Sequence, residues 1–176
     1  MPGASVNDGG KATRGQVSNL DGQKPQSEAD KDADEEEMLI QAVIEDCQRR
    51  KDEGITNHEL GPVISGAYDT TNGNMEIFLN NPYGSPPSDL HPYLQDRLVN
   101  MPDSVKDSYK NSHGAGSHSE IYAVSELLNK NPTAKPSDII VYSNRTGGST
   151  LPVVERPVPA CPHCSYLLEG FRIVSG

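Results

Sequence analysis

The sequence predicts an α/β fold, in which helices pack on a small β-sheet. Three observations support this prediction. A helical pattern precedes two strand-like runs, a second helical pattern precedes a continuous apolar run, and a third precedes a short final strand. The predicted order is helix, hairpin, helix, strand, helix, strand, without an internal repeat, and such alternation is typical of layered α/β domains.

The first predicted helix covers residues 33–51. Apolar residues recur along one side of it, and an acidic first turn and a basic last turn complement the helix dipole. Gly54 is the predicted stop. Residues 1–32 contain no apolar run and are rich in small and polar residues, so we expect a disordered tail or linker followed by one domain, 33–176.

Two strands are predicted at 62–68 and 75–80. The turn-forming segment between them is typical of a β-hairpin. The next region, 81–116, contains five prolines and is predicted to be a long loop with one short helix at 93–99. Loops of this length in compact domains are often functional, and we expect this one to frame the entrance of a site.

The second half of the chain begins with a helix that ends near Asn129, with Ser117 as its predicted N-cap. The apolar run 138–143 predicts a strand buried on both faces. A further helix is predicted over 161–171, and residues 172–174 complete the pattern as a final strand.

Composition restricts the partners of the chain. The formal net charge of the 176 residues is −10, and residues 54–176 hold eight Lys or Arg against twelve Asp or Glu. Proteins that grip duplex nucleic acid normally present a basic face, so a single base, a free nucleotide or a short unpaired segment is the expected ligand. No secretory signal and no run of about eighteen apolar residues is present, so we expect a soluble protein without membrane contact.

Two motifs carry the predicted chemistry. His118 and Glu120 form an HxE element, and Cys161 and Cys164 form a CxxC element, each at the start of a predicted helix. Helix N-termini favour thiolates, and the CxxC spacing lets both sulfurs reach one ion. One imidazole and two thiolates leave the fourth position of a Zn²⁺ ion open for a water. The remaining cysteine, Cys47, is expected to be a small buried apolar residue.

These motifs resemble the cytidine deaminase-like superfamily, whose pattern is HxE followed by PCxxC. The run 118–128, the element 161–164 and the preceding segment 90–94 are most similar to the YwqJ-type branch of toxin deaminases. The resemblance covers about residues 60–175. It implies a three-layer α/β/α cytidine deaminase-like fold with a mixed sheet.

The resemblance also implies roles for single residues. It makes His118, Cys161 and Cys164 the zinc ligands and Glu120 the catalytic proton carrier, and it gives Asn80 or Asn81 a contact with the substrate. Residue 119 is Ser where many relatives have Ala. Independently of the resemblance, three polar residues at the end of the buried strand lie where a sheet-edge pocket would open, and they are further substrate-binding candidates: Tyr142, Asn144 and Arg145.

The predicted function is hydrolytic deamination of a nucleobase in single-stranded DNA or RNA, or in a free nucleotide. The resemblance implies an effector or toxin domain, acting in the cytoplasm or after delivery into a target cell, with an immunity protein as partner. Two alternatives stay open. One is a non-enzymatic zinc-stabilised binding module closed by His163 as fourth ligand, and the other is a metabolic nucleotide deaminase. The target base is not determined by the sequence.

Overall fold

A computed structural model describes residues 24–110 and 114–176. Within these ranges the chain forms helices and strands in the following order: α1 (Glu28–Asp52), α2 (Asn57–Leu60), β1 (Val63–Asp69), β2 (Met75–Leu79), α3 (Pro92–Val99), α4 (Asp103–Lys106), α5 (Ser119–Lys130), a 3₁₀ turn (Pro136–Asp138), β3 (Ile139–Arg145), α6 (Pro162–Leu167) and β4 (Arg172–Ile173). The predicted order of the main elements is confirmed, and so is the α/β class.

The four strands form one mixed sheet in the order β2-β1-β3-β4. Strand β1 is antiparallel to both β2 and β3, whereas β3 is parallel to β4. In this register Ser65 lies opposite Ser143, and Val63 lies opposite Arg145. The beginning of β1 and the end of β3 therefore lie at the same edge of the sheet.

Each face of the sheet is covered by a separate apolar cluster. Helix α1 covers one face, where Leu39 and Val43 pack with Ile140 and Tyr142. Helices α5 and α6 cover the other face, where their apolar residues pack with Val141 and its neighbours. Successive residues of a strand point to opposite faces, so β3 contributes alternately to the two clusters. The result is the predicted three-layer arrangement.

The start of α1 differs from the prediction. The helix begins at Glu28, before the predicted start at residue 33, because Ser27 and Asp30 form a capping box. The apolar pattern used for the prediction does not extend to this polar first turn. Residues 1–23 of the predicted tail lie outside the described residues, and the boundary between tail and domain stays a prediction.

Other element bounds also differ. The sequence pattern missed the four-residue helices α2 and α4, although the capping box of Thr56 and Glu59 is a local signal for α2. Helix α6 ends at Leu167 rather than at residue 171, and Gly170 then turns the chain with a positive φ. Among the helices of the described ranges, none has the length and apolar character needed to cross a bilayer.

Gly66 of β1 is required for the close packing of α1. A Cβ at this position would lie 2.5 Å from Val43 Cγ2 and 2.9 Å from Leu39 Cδ1, so Gly66→Ala forces these side chains or α1 itself to shift. We expect a loss of about 1–3 kcal/mol in the free energy of unfolding, measured with denaturant. Val43→Ala removes the closest atom, and the double variant should lose less than the sum of the two single losses. Additive losses would contradict this account.

Candidate functional site

The beginnings of α5 and α6 meet at the sheet edge formed by the start of β1 and the end of β3. His118 is the N-cap residue of α5, and its extended backbone directs the chain into the helix. Cys161 is the N-cap residue of α6, where its Sγ accepts a hydrogen bond from the Cys164 backbone N–H at 3.4 Å. The prediction of Ser117 as the N-cap of α5 was wrong, because the Ser117 hydroxyl donates a hydrogen bond to the Gly114 carbonyl instead.

This junction brings the three predicted metal ligands together. His118 Nδ1 lies 3.5 Å from Cys161 Sγ and 3.3 Å from Cys164 Sγ, and the three ligand atoms all lie within 4.8 Å of one another. A tetrahedral ion with zinc-like bond lengths places a nitrogen and a sulfur ligand about 3.6 Å apart. The donor set and both nitrogen–sulfur distances therefore fit one such ion.

The two thiols differ in acidity. The hydrogen bond from the Cys164 thiol, together with that from His118, lowers the pKa of Cys161 to about 4 despite burial. The same bond with Cys161, and burial, raise the pKa of Cys164. The hydrogen bond with Cys161 also raises the pKa of His118. A thiolate is thus favoured at neutral pH, and a bound cation would displace the proton that the sulfurs share.

Glu120 lies in the first turn of α5, next to the ligand group but outside it. Its side chain is buried, and burial raises the pKa of its carboxyl, against the lowering effect of nearby His118. A carboxyl whose pKa is raised above its ordinary value holds a proton more readily and can both accept and release one. The position and environment of Glu120 suit proton transfer beside a bound ion.

These groups lie in a cleft of about 290 Å³. The cleft lining contains His118, Glu120 and Cys161. The rest of the lining comes from one end of the sheet, from the long loop and from the segment before α6: Pro62, Val63, Asn80, Tyr109, Ser143, Arg145, Val158 and Pro159. Tyr109 comes from the loop that was expected to frame the entrance. Among these lining residues Arg145 carries the positively charged guanidinium, and this group could bind a phosphate.

Asn80 and Asn81 take different positions. Asn80 lines the cleft, and its Oδ1 accepts a hydrogen bond of 2.8 Å from the Ser119 backbone N–H. It therefore caps α5 from the neighbouring strand. Asn81 lies outside this cleft, where its Nδ2 donates to the Tyr122 hydroxyl at 2.8 Å and its Oδ1 accepts from the Tyr83 N–H at 2.7 Å.

The candidates on β3 are separated by the two faces of the strand. Arg145 lines the cleft together with Ser143, which the sequence prediction missed. Tyr142 and Asn144 do not line it: both are buried on the α1 side, where the Tyr142 hydroxyl donates to Asn144 Oδ1 at 2.8 Å. The strand was predicted to be buried on both faces, so the sequence alone could not select the polar face. Its period of two is the signal that groups Ser143 with Arg145.

His163, which lies inside the CxxC element, has a different role from His118. His163 Nε2 lies 3.0 Å from the Lys106 carbonyl, and its ring packs edge-on against Tyr109 with centroids 5.8 Å apart. It lies outside the ligand group of His118 and the two cysteines. His163 therefore supports the loop that carries Tyr109. Cys47 is buried in the α1 cluster, where it behaves as the expected small apolar residue.

Comparisons with known proteins agree with this geometry. The model of a family described as YwqJ-like deaminase matches residues 47–173. The chain is 40% identical over 134 residues to Toxin YwqJ of Bacillus subtilis (strain 168), an alignment that covers 75% of this chain and 22% of that protein. The chain thus spans about a fifth of the length of this curated relative. No solved structure gives a significant match.

The cap on α5 can be tested by substitution. Asn80→Ala removes the acceptor for the Ser119 N–H and should lower the free energy of unfolding by about 0.5–2 kcal/mol, whereas Asn80→Asp retains an acceptor and should keep most of the stability. Chemical denaturation measures both values. Asn74→Ala, at an exposed position in the hairpin turn, serves as the matched control and should change little. An Asn80→Ala variant as stable as the wild type would rule out the capping role.

Proposed function

The chain belongs to the YwqJ-like deaminase family, and on that premise we propose that it is a zinc-dependent hydrolase that removes an amino group from a nucleobase. The observation that carries this proposal is a group of three metal-ligating side chains, of which His118 and Cys161 line the same cleft as the buried carboxylate of Glu120. The similarity to Toxin YwqJ favours an effector role for the deaminase. We further propose an immunity protein as its partner.

His118, Cys161 and Cys164 would hold the zinc ion. Bound in this way, zinc would lower the pKa of a coordinated water from about 15.7 to roughly 7 and so supply a nucleophile at neutral pH. The thiolate character of Cys161 and the approach of Cys164 and His118 prepare the ligands for a cation. Soft sulfur ligands combined with one imidazole favour zinc over magnesium or calcium.

Glu120 is the proposed proton carrier. Its carboxylate accepts a proton from the attacking water, whose oxygen then bonds to the amino-bearing carbon of the base. The carbon–nitrogen bond breaks, and ammonia leaves with the proton that Glu120 delivers. Burial of Glu120 excludes bulk water from this transfer and keeps the carboxyl pKa high enough for return of the proton.

The cleft suits a base that is already unpaired. The lining offers Tyr109 as an aromatic surface for stacking, Asn80 as a polar contact and Arg145 as one cation. Residues 54–176 have more acidic than basic side chains, so the domain lacks the charge to compensate for opening a duplex. We therefore propose single-stranded nucleic acid or free nucleotides as substrates, with Asn80 and Arg145 as contacts.

Metal content tests the ligand assignment. Purified protein should contain about one zinc per chain, and Cys161→Ser or Cys164→Ser should lose most of it together with thermal stability, because metal binding contributes to folding. Elemental analysis and thermal melting provide the two measurements. Cys47→Ala is the matched control, since this buried cysteine lies in the other core cluster, and it should retain full zinc. Wild-type protein without zinc would refute the assignment.

Glu120→Gln tests the proton carrier separately from the metal. The variant should keep its zinc and fold but lose activity by at least roughly a hundredfold, the usual contribution of general acid–base catalysis. Product formation is measured by chromatography of the deaminated base. Glu126→Gln, on the same helix but outside the cleft, should retain activity.

His163→Gln distinguishes the alternative of a closed structural zinc site, which predicts that this variant loses its zinc. We expect it to retain zinc, because His163 lies outside the ligand group.

Substrate form is tested with matched oligonucleotides. Single-stranded oligonucleotides or free nucleotides should be deaminated faster than the same sequence in a duplex, because extrusion of a paired base costs on the order of a few kcal/mol. All rates are compared at one salt concentration, since phosphate contacts depend on salt. Equal or faster turnover of the duplex would overturn the substrate proposal and leave the zinc chemistry intact.

A further inference from the structure

Three serines from different elements form a chain of hydrogen bonds across the sheet. Ser65 Oγ of β1 lies 2.6 Å from Ser119 Oγ of α5 and 2.7 Å from Ser143 Oγ of β3. Ser65 and Ser119 have no exposed surface, and Ser143 is 4% exposed. The middle hydroxyl has two partners, so it donates to one of them and accepts from the other.

The two ends of this serine chain lie in different surroundings. Ser143 lines the cleft that contains His118 and Glu120. Ser119 is fully buried, and within 24–110 and 114–176 its hydroxyl makes a hydrogen bond with Ser65 alone. A hydrogen that pointed away from Ser65 at this end would therefore have no acceptor among the described residues and no access to bulk water.

Counting the hydrogens fixes the direction of the chain. If Ser143 donated to Ser65, then Ser65 would donate to Ser119, and the Ser119 hydrogen would be buried without an acceptor. Buried donors without acceptors are rare because they lose their hydration without compensation. In the opposite order Ser119 donates to Ser65, Ser65 donates to Ser143, and the remaining hydrogen belongs to Ser143 at the surface of the cleft.

We propose that Ser143 is a specificity-determining residue that donates a hydrogen bond to an acceptor atom of the base, either a carbonyl oxygen or a ring nitrogen. This inference rests on the proposed function, because it places the base in the cleft with Glu120. Ser65 and Ser119 are positioning residues: they occupy the lone pairs of the neighbouring hydroxyls and keep the Ser143 hydrogen directed into the cleft. Sites that hydrogen-bond a substrate reject analogues that lack the partner atom.

The first test is the Ser143→Ala variant. We expect kcat/KM for the base to fall by about 3- to 10-fold, the range for one neutral hydrogen bond, while zinc content and the far-ultraviolet circular dichroism are unchanged. Ser143→Thr retains the hydroxyl and should recover most of the loss. An unchanged kcat/KM in Ser143→Ala would overturn the proposal.

The decisive test compares the base with analogues that each lack one acceptor, through a deaza or deoxo replacement. Wild-type protein should show a lower kcat/KM for one of these analogues than for the parent base. Ser143→Ala should show similar kcat/KM values for that analogue and for the parent base. Discrimination that is identical in wild type and Ser143→Ala for every analogue would overturn the proposal.

Ser65→Ala separates recognition from a structural role. This variant removes the middle of the serine chain but leaves the Ser143 hydroxyl in the cleft. It should be less stable in thermal melting, and it should discriminate against the same analogue less strongly than wild type but more strongly than Ser143→Ala. If Ser65→Ala and Ser143→Ala lose discrimination equally, the hydroxyl of Ser143 acts only through the fold and the proposal is overturned.

Equilibrium binding distinguishes failure of the inference from failure of the proposed function. Binding of the parent nucleoside is measured in the Glu120→Gln background with and without Ser143→Ala. Absence of deaminated product from wild type refutes the proposed function. The inference still holds in that case if Ser143→Ala weakens nucleoside binding by about 3- to 10-fold, the effect of one neutral hydrogen bond. Turnover by wild type, with equal binding in both variants, overturns the inference alone.

Discussion

The approach of one imidazole and two thiols at the junction of two helices is the constraint on which the rest of the site depends. His118 is separated from Cys161 and Cys164 by 43 and 46 positions in the chain, yet the three ligand atoms lie within 4.8 Å. Both helices must therefore begin at the same edge of the sheet. Asn80 caps α5 by accepting a hydrogen bond from the Ser119 N–H, and the Cys161 sulfur caps α6.

The sheet separates the chemistry from most of the structural packing. Residues of β1 and β3 that point towards α5 include Ser65 and Ser143, whereas their neighbours point towards α1 and are covered by Leu39 and Val43. Gly66 permits this close packing because a side chain at this position would collide with Val43 and Leu39 of α1. Tight packing on one face thus fixes the strands whose other face presents polar groups to the cleft.

Charge and shape act together on the choice of substrate. The cleft combines the buried carboxyl of Glu120, the acidic thiol of Cys161 and one arginine, while the domain as a whole is acidic. Such a surface gains little from a long phosphate backbone and most from contacts with a single nucleotide. In the proposed function, recognition would depend on a few directed hydrogen bonds within the cleft, and the proposed Ser143 donor is the one whose direction follows from the buried serine chain.

The sequence by itself determined the α/β class, the order of the main elements and the identity of the ligand candidates, because periodicity and the HxE and CxxC spacings are local properties. Only the tertiary structure decided which polar neighbours face the cleft: Asn80 rather than Asn81, and Arg145 with Ser143 rather than Tyr142 and Asn144. A strand with polar residues on both faces gives no local sign of which face is covered by α1. That choice depends on strand register and on the packing of distant helices, which no window of the sequence contains.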